Sequence, residues 1–214
     1  FGNPSSPHGY GRTAQNALEN SRECLARSIG AQSDEIVFTS GATEANNHAV
    51  FGVARANKDK GKHIILSPIE HHSVLEPVEY LRKNEGYEVT VLKVDRDGLV
   101  DPREVQDVIK KETVLVAVMC ANNEIGTVQP VKEIGMISRK MKVPFHIDAV
   151  QAVGHIPVNV DELNADLLSL SAHKFYGPKG IGALYVRKGT KVAPFLLGGD
   201  QERGRRASTQ NVAG

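Results

Sequence analysis

Five short stretches of the sequence place polar, chemistry-bearing side chains directly after apolar runs. Ser40-Gly41-Ala42-Thr43 follows Glu35–Thr39 and opens a helical pattern. Free backbone N–H groups, a helix dipole and a hydroxyl at such a point make a cradle for a phosphate. Alone, the stretch reads as readily as a glycine turn with a threonine cap. Glu70-His71-His72 follows the next apolar run. Two adjacent histidines cannot both face one pocket from a strand and no HExxH pattern is present, which argues against a metal site. One of the two can stack on a planar ring; the plainer alternative is a surface pair.

Asn122-Asn123-Glu124-Ile125-Gly126 sets three polar residues after a long apolar run, and side chains there must be hydrogen-bonded, to a ligand or to loop backbone. Asp148, flanked by Ile147, Ala149 and Val150 with Gln151 three residues on, reads as a buried carboxylate with a cationic partner. The last stretch is Ser171-Ala172-His173-Lys174-Phe175, followed by Gly177-Pro178-Lys179-Gly180. A lysine after an apolar strand invites Schiff-base chemistry, because desolvation lowers the pKa of its amine, although most lysines are solvated surface residues.

These residues need a scaffold, and strand-like and helix-like periods alternate along nearly the whole chain. That is the pattern of an α/β domain with a largely parallel sheet. Ala14, Leu18, Leu25 and Ile29 keep one face of a first helix that Gly30 ends. Strands are expected over 35–39, 63–67, 88–94, 113–119, 144–148, 165–171 and 181–186. Helices are expected from 42 to about 56 and over 73–84, 102–111 and 130–141. The run at 113–119 is almost wholly apolar, as for a strand covered on both faces. No repeat or linker divides the chain, so residues 1–214 read as one domain. In such sheets functional residues gather in loops beyond the carboxyl ends of the strands, which is where all five stretches fall. A phosphate cradle, a ring-stacking histidine, an aspartate and a lysine at strand ends are together what pyridoxal phosphate (PLP) needs. The lysine carries it as a Schiff base, and the aspartate keeps its pyridine nitrogen protonated so that the ring acts as an electron sink. Nucleotide sites lack their fingerprints: no GxGxxG follows a strand, and Gly61-Lys62 has Ala56 where a P-loop needs its first glycine.

Composition removes several other classes. The 214 residues hold 26 Lys and Arg against 25 Asp and Glu, for a net charge of +1, which makes no case for nucleic acid or an anionic membrane as main partner. Hydrophobic residues are 40% and charged residues 24%, the balance of a globular chain. No apolar run approaches the ~20 residues of a membrane helix. The two cysteines, Cys24 and Cys120, form no CxxC pair, so neither a disulfide scaffold nor a structural zinc site is expected. The expected location is the cytoplasm, or an organelle should a transit peptide precede Phe1. Both ends read as cut.

The sequence resembles the cysteine desulfurases of the NifS and IscS type, within the class V aminotransferase family of fold-type-I PLP enzymes. The resemblance rests on Asn3-Pro4-Ser5-Ser6-Pro7-His8, Phe38-Thr39-Ser40-Gly41-Ala42-Thr43-Glu44, Glu70-His71, Asn122-Asn123-Glu124-Ile125-Gly126, His146-Ile147-Asp148-Ala149-Val150-Gln151, and Ser171 to Gly180, in family order. It implies the three-layer αβα large domain of that fold type, with mainly parallel strands flanked by helices. It also implies site roles. Lys174 would hold PLP and shuttle the substrate α-proton, Asp148 would pair with the pyridine nitrogen, and Gln151 would bond the phenolic oxygen. His71 would stack on the ring, Ala42, Thr43, Ser171 and His173 would hold the phosphate, and Asn123 would position substrate. Thr209 matches a threonine that reaches the phosphate of a neighbouring subunit, implying a homodimer. The implied reaction converts L-cysteine to L-alanine, leaves the sulfur as an enzyme persulfide and passes it to a sulfur acceptor or an iron–sulfur scaffold protein.

The chain departs from the family in places. The nucleophilic cysteine and the arginine that grips the substrate carboxylate are expected beyond Gly214, with an N-terminal stretch and most of a small C-terminal domain also outside it. Cys120 and Cys24 are expected to be packing residues. Asp200 stands where a third glycine usually follows Gly198-Gly199, and Ala207-Ser208 where Ser-Gly is usual. Two other readings share the motifs: a selenocysteine lyase, and a cofactor-binding fragment without turnover. A generic aminotransferase matches the Asn122 and His173-Lys174 contexts less well.

Overall fold

The computed structural model describes residues 2–214; Phe1, where the expected domain begins, lies outside the described residues. A helix α1 (Gly9–Ser28) leads to strand β1 (Ile36–Thr39), and the chain continues as α2 (Ala42–Ala56), β2 (His63–Leu66), α3 (His72–Asn84), β3 (Glu88–Val91), α4 (Pro102–Val108), β4 (Thr113–Ala117), α5 (Val131–Lys140), β5 (Phe145–Asp148), β6 (Leu167–Ser171) and β7 (Gly182–Val186). The seven strands form one sheet in the order β1-β7-β6-β5-β4-β2-β3. β6-β5-β4-β2-β3 is parallel, and β7 runs antiparallel to both its neighbours, β6 and β1.

The expected architecture is the one found: an α/β fold with a mainly parallel sheet between two helical layers. Strand alternation sends Val37, Ile64, Leu66, Ala117 and Leu184 to one face, where α2 and α3 cover them with Val50, Val53, Val78 and Leu81. Ile36, Ile65, Val116, Ile147 and Tyr185 point to the other face, against Ala26 and Ile29 near the end of α1, Val105 of α4 and Ile134 of α5. All five residues of β4 are buried, and each fully buried Val or Leu contributes about 1.5–3 kcal/mol of transfer free energy.

Element ends moved where local hydrogen bonds compete with the pattern. The strand expected over 88–94 stops at Val91, because the Lys93 N–H is taken by the Glu104 carboxylate (2.9 Å) and Val94 bridges back to Val100. The helix expected to reach Lys111 stops at Val108, since Ile109 turns extended and Lys110 N–H donates to Thr113 Oγ1 at 2.8 Å.

The first helix corrects the sequence reading. Its buried stripe runs through Gly11, Leu18, Arg22 and Ala26. Arg22 sits at the centre of that stripe, while Cys24, expected to pack, is exposed. The cause lies far along the chain: the Arg22 guanidinium is neutralised by Glu202, whose oxygens accept from Nη1 at 2.6 Å and Nη2 at 2.9 Å. It also donates to the Ile36 carbonyl (2.9 Å) and lies over the Phe38 ring. Glu202 in turn accepts from the Phe38 N–H at 2.8 Å, so the segment after β7 is pinned to α1 and β1.

Candidate functional site

The five parallel strands and β1 deliver their carboxyl ends to one rim of the sheet, and β7, running the other way, brings its beginning to the same rim. There a cavity of about 490 Å³ is lined by the loops after β1, β2, β4, β5 and β6 and by the approach to β7. Nine of the ten expected site residues line it: Ala42, Thr43, His71, Asn123, Asp148, Gln151, Ser171, His173 and Lys174. Thr209 does not; it borders a separate groove with Asn3 and Asn211. Ser40, Gly41, Glu44, Ser73, Met119, Val150, Lys179 and Gly180 complete the wall.

One end of the cavity suits an anion. Helix α2 starts at Gly41 with no side-chain cap, so its first backbone N–H groups are free to point outward. Beside it Ser171 Oγ and His173 Nδ1 lie 3.0 Å apart. Close approach of backbone makes this geometry: a Cβ on Gly182, at the start of β7, would sit 2.7 Å from Gly41 Cα and from the Leu170 carbonyl oxygen. The one carboxylate here, Glu44, is neutralised by Arg206, whose Nε lies 2.7 Å from Oε1, and it also accepts from Ser40 N–H at 2.9 Å. Burial alone would raise its carboxyl; the Arg206 and Ser40 bonds outweigh that and hold it below the ordinary range.

The other end is a buried carboxylate. Asp148 closes β5, is 4% exposed, and accepts from Val150 N–H (3.0 Å) and the Asn46 amide (2.7 Å). No ion pair to it exists among the described residues, which leaves the cationic partner expected for it to be supplied from outside the protein side chains. Burial pushes its carboxyl above the usual range, against the pull of those two donors and of His71 and Lys174. Such a carboxylate has room and need for one more, positively charged donor.

His71 is the N-cap of α3: its Nδ1 accepts from the Ser73 N–H at 3.1 Å, which fixes the ring at the cavity wall. His72 turns to solvent, 3.8 Å from Glu76. Asn122 resolves the choice left open for its loop: Oδ1 accepts from the Glu124 and Ile125 N–H groups and Nδ2 donates to the Ile69 carbonyl. It therefore shapes the loop that presents the exposed Asn123. Lys174 lies on a 3₁₀ turn (Ala172–Lys174) directly after β6. It is exposed, which corrects the expectation that the apolar strand before it would desolvate the amine. The strand ends at Ser171, and the turn that follows at once carries Lys174 out to the cavity mouth.

Cys120, after β4, is 3% exposed and burial pushes its thiol up to about 11, as for a packing residue. Reasoning from sequence missed Asn46, Ser73 and Glu70. Asn46 and Ser73 sit on the inward faces of α2 and α3, where a polar residue among apolar ones was the available signal. Glu70 is buried, accepts from the Ser67 hydroxyl and from Met119 N–H (2.8 Å), and its burial raises the carboxyl to about 8.

The profile of the aminotransferase class-V family matches residues 1–213. The chain belongs to the class-V aminotransferases. Within that family it is 59% identical over 214 residues to the cysteine desulfurase IscS of Dictyoglomus turgidum, covering 100% of this chain and 54% of that protein. It is 53% identical over 212 residues to the mitochondrial cysteine desulfurase of Saccharomyces cerevisiae, covering 98% of this chain and 42% of that protein. Among solved structures, a NifS-like protein superposes with a TM-score of 0.96 at 44% identity, over 100% of this chain and 59% of the other. The structure described as SspA in complex with cysteine gives 0.95 at 42% identity, over 99% and 61%. The chain spans about half the length of the curated relatives it matches. No helix among the described residues is long and apolar enough to cross a membrane.

Proposed function

We propose that the protein is a PLP-dependent cysteine desulfurase: L-cysteine becomes L-alanine, and the sulfur leaves as a persulfide on an enzyme cysteine for an acceptor such as an iron–sulfur scaffold protein. Asp148 carries the reading. A buried carboxylate without a charged partner, in one cavity with an uncapped helix N-terminus and a lysine, fits the pyridinium, phosphate and aldehyde of PLP together. Residues 1–214 would form its cofactor-binding domain.

When bound, PLP would supply an electron sink for the pair of electrons left as the substrate loses its α-proton. The chain's own residues set up the rest. Lys174 Nζ would hold the cofactor and would serve as the base and acid for the substrate α-proton. Asp148 holds the proton on the ring nitrogen, and Gln151 holds the phenolic oxygen. His71 covers one face of the ring. The first N–H groups of α2 at Ala42 and Thr43, with Ser171 and His173, hold the phosphate, and Asn123 orients the amino acid. Thr209, lying outside the cavity, would serve the phosphate of a second copy in a homodimer. The proposed compartment is the cytoplasm; the mitochondrial assignment belongs to the yeast relative.

One observation favours a second reading for residues 1–214 taken alone. Cys120 is buried with a raised thiol, and exposed Cys24 lies on α1 in a different groove, with Val153 and Phe175. Neither is placed to take sulfur in the cavity, so these residues would bind PLP without turnover. The sulfur-accepting cysteine would come from sequence outside them.

The test is the near-visible absorption of the purified protein with PLP, beside Lys174→Ala. A yellow band in the parent and none in the variant supports the cofactor reading; no band from folded parent protein sinks it. Alanine release from cysteine, compared with release from selenocysteine, then separates a desulfurase from a lyase.

A further inference from the structure

At the cavity wall four polar side chains from three elements, α3 with its N-cap, α2 and β5, make one continuous hydrogen-bonded chain. His71 Nδ1 lies 2.7 Å from Ser73 Oγ, Ser73 Oγ lies 2.8 Å from Asn46 Nδ2, and Asn46 Nδ2 lies 2.7 Å from Asp148 Oδ2. Asn46 and Ser73 are buried, at 0% and 7% exposure. The direction of each bond follows from its donors. A backbone N–H can only donate, so the Ser73 N–H finds a lone pair on His71 Nδ1. With Nδ1 an acceptor, the Ser73 hydroxyl donates its proton there as well and is left as an acceptor. The Asn46 NH₂ group then gives one hydrogen to Ser73 Oγ and the other to Asp148. The reverse amide orientation would set a carbonyl oxygen against the Asp148 carboxylate. Asn46 Oδ1 is buried without a partner, so the amide's orientation is set wholly by its two donated bonds.

We propose that Asn46 and Ser73 are positioning residues that lock His71 and Asp148 into one unit, with the His71 ring proton on Nε2 and the Asp148 carboxylate held in place from the same amide. His71 and Asp148 come from different loops, after β2 and at the end of β5, and would otherwise move independently. The chain fixes the histidine's tautomer and ring plane relative to the carboxylate, two groups that must address one planar ligand. Only the effect on turnover rests on the PLP reading; the tautomer needs no cofactor.

The measurement is ¹⁵N NMR of the histidine rings in the protein with and without PLP, the His71 signal being identified by its loss in His71→Gln. The parent shows Nε2 protonated and Nδ1 as a hydrogen-bonded acceptor. Ser73→Ala moves the Nδ1 signal toward that of a less strongly bonded acceptor, and Ser73→Thr restores it. Asn46→Leu moves it in the same direction although residue 46 does not touch the ring. Should that variant not fold, Asn46→Ser, too short to bridge Ser73 and Asp148, reads the same signal. In the PLP-loaded protein, Ser73→Ala and the Asn46 variant lower kcat for cysteine roughly tenfold, the scale seen when an outer hydrogen-bond partner is lost, with KM little changed. A ring proton on Nδ1 in the parent, or an Nδ1 signal that neither variant moves, overturns the proposal. The absorption band decides the cofactor reading separately, so the two ideas fail independently.

Discussion

The guanidinium of Arg22 grips both carboxylate oxygens of Glu202, at 2.6 and 2.9 Å, although one residue lies in the first helix and the other in the segment after the last strand. Both side chains are almost wholly buried, at 3% and 1% exposure. Removing Glu202 leaves the buried Arg22 only the partly exposed Glu19, 3.1 Å from its Nε, and takes the acceptor from the Phe38 N–H. Glu202→Ala should therefore cost about 3–5 kcal/mol. Urea unfolding checks this. The double variant Arg22→Met with Glu202→Leu should recover much of the loss, and a Glu202→Ala cost under about 1 kcal/mol would contradict the account.

Stability should fall as pH rises through the neutral range, and Glu70 should cause part of that fall. Its folded-state carboxyl is pushed up to about 8 by burial, above the ordinary unfolded value of roughly 4.3. Between those two values the folded state holds a proton that the unfolded state has lost. Its contribution is complete at acid pH, shrinks by up to about 1.4 kcal/mol per pH unit, and is gone above pH 8. Asp148, also raised, acts in the same direction. Unfolding midpoints at pH 5, 6.5 and 8 should decline less steeply in Glu70→Gln than in the parent; parallel slopes would count against it.

Gly182→Ala tests the backbone contact under the anion end. The added methyl has no room, with Gly41 Cα and the Leu170 carbonyl oxygen both at 2.7 Å. A loss of about 1–3 kcal/mol is expected from overpacking, together with weaker PLP retention on dialysis because the start of α2 is displaced. Unchanged retention would mean that the Gly41 loop does not set the phosphate contact.

The two thiols should differ sharply in reactivity. Cys24 is exposed, whereas Cys120 is buried with its thiol pushed up to about 11. Labelling with an aromatic disulfide reagent at neutral pH, followed by peptide mapping, should modify Cys24 quickly in native protein and Cys120 only in denaturant. Fast labelling of both mapped positions would show that Cys120 is accessible.

The placing of the site was legible from sequence because its residues sit immediately after apolar strands, and a parallel sheet brings such positions to one rim. What was not legible depends on partners remote in sequence. Arg22 occupies a helix face that local periodicity assigns to apolar residues, and the remote Glu202, with the Ile36 carbonyl and Glu19, makes that burial tolerable. Asp148 was legible as a buried carboxylate, but not that an amide from α2 and a backbone N–H would hold it. Lys174 was expected to be desolvated, but a single 3₁₀ turn carries it beyond the strand that would have buried it. Asn46 and Ser73 escaped notice because each looks like an ordinary polar residue until β5 is placed beside them.

The antiparallel β7 also sets an order of events during synthesis. Thr39 pairs with Gly182 and Ile36 with Tyr185, so β1, first of these seven strands in chain order, has its only sheet neighbour among the described residues in the seventh. Until residues 182–186 have been made, the edge of β1 lacks that partner, a standing invitation to wrong pairing. The anion cradle cannot be shaped until Gly182 arrives beneath Gly41. The rim that frames the cavity is thereby complete only in chains that have added β7 to the sheet.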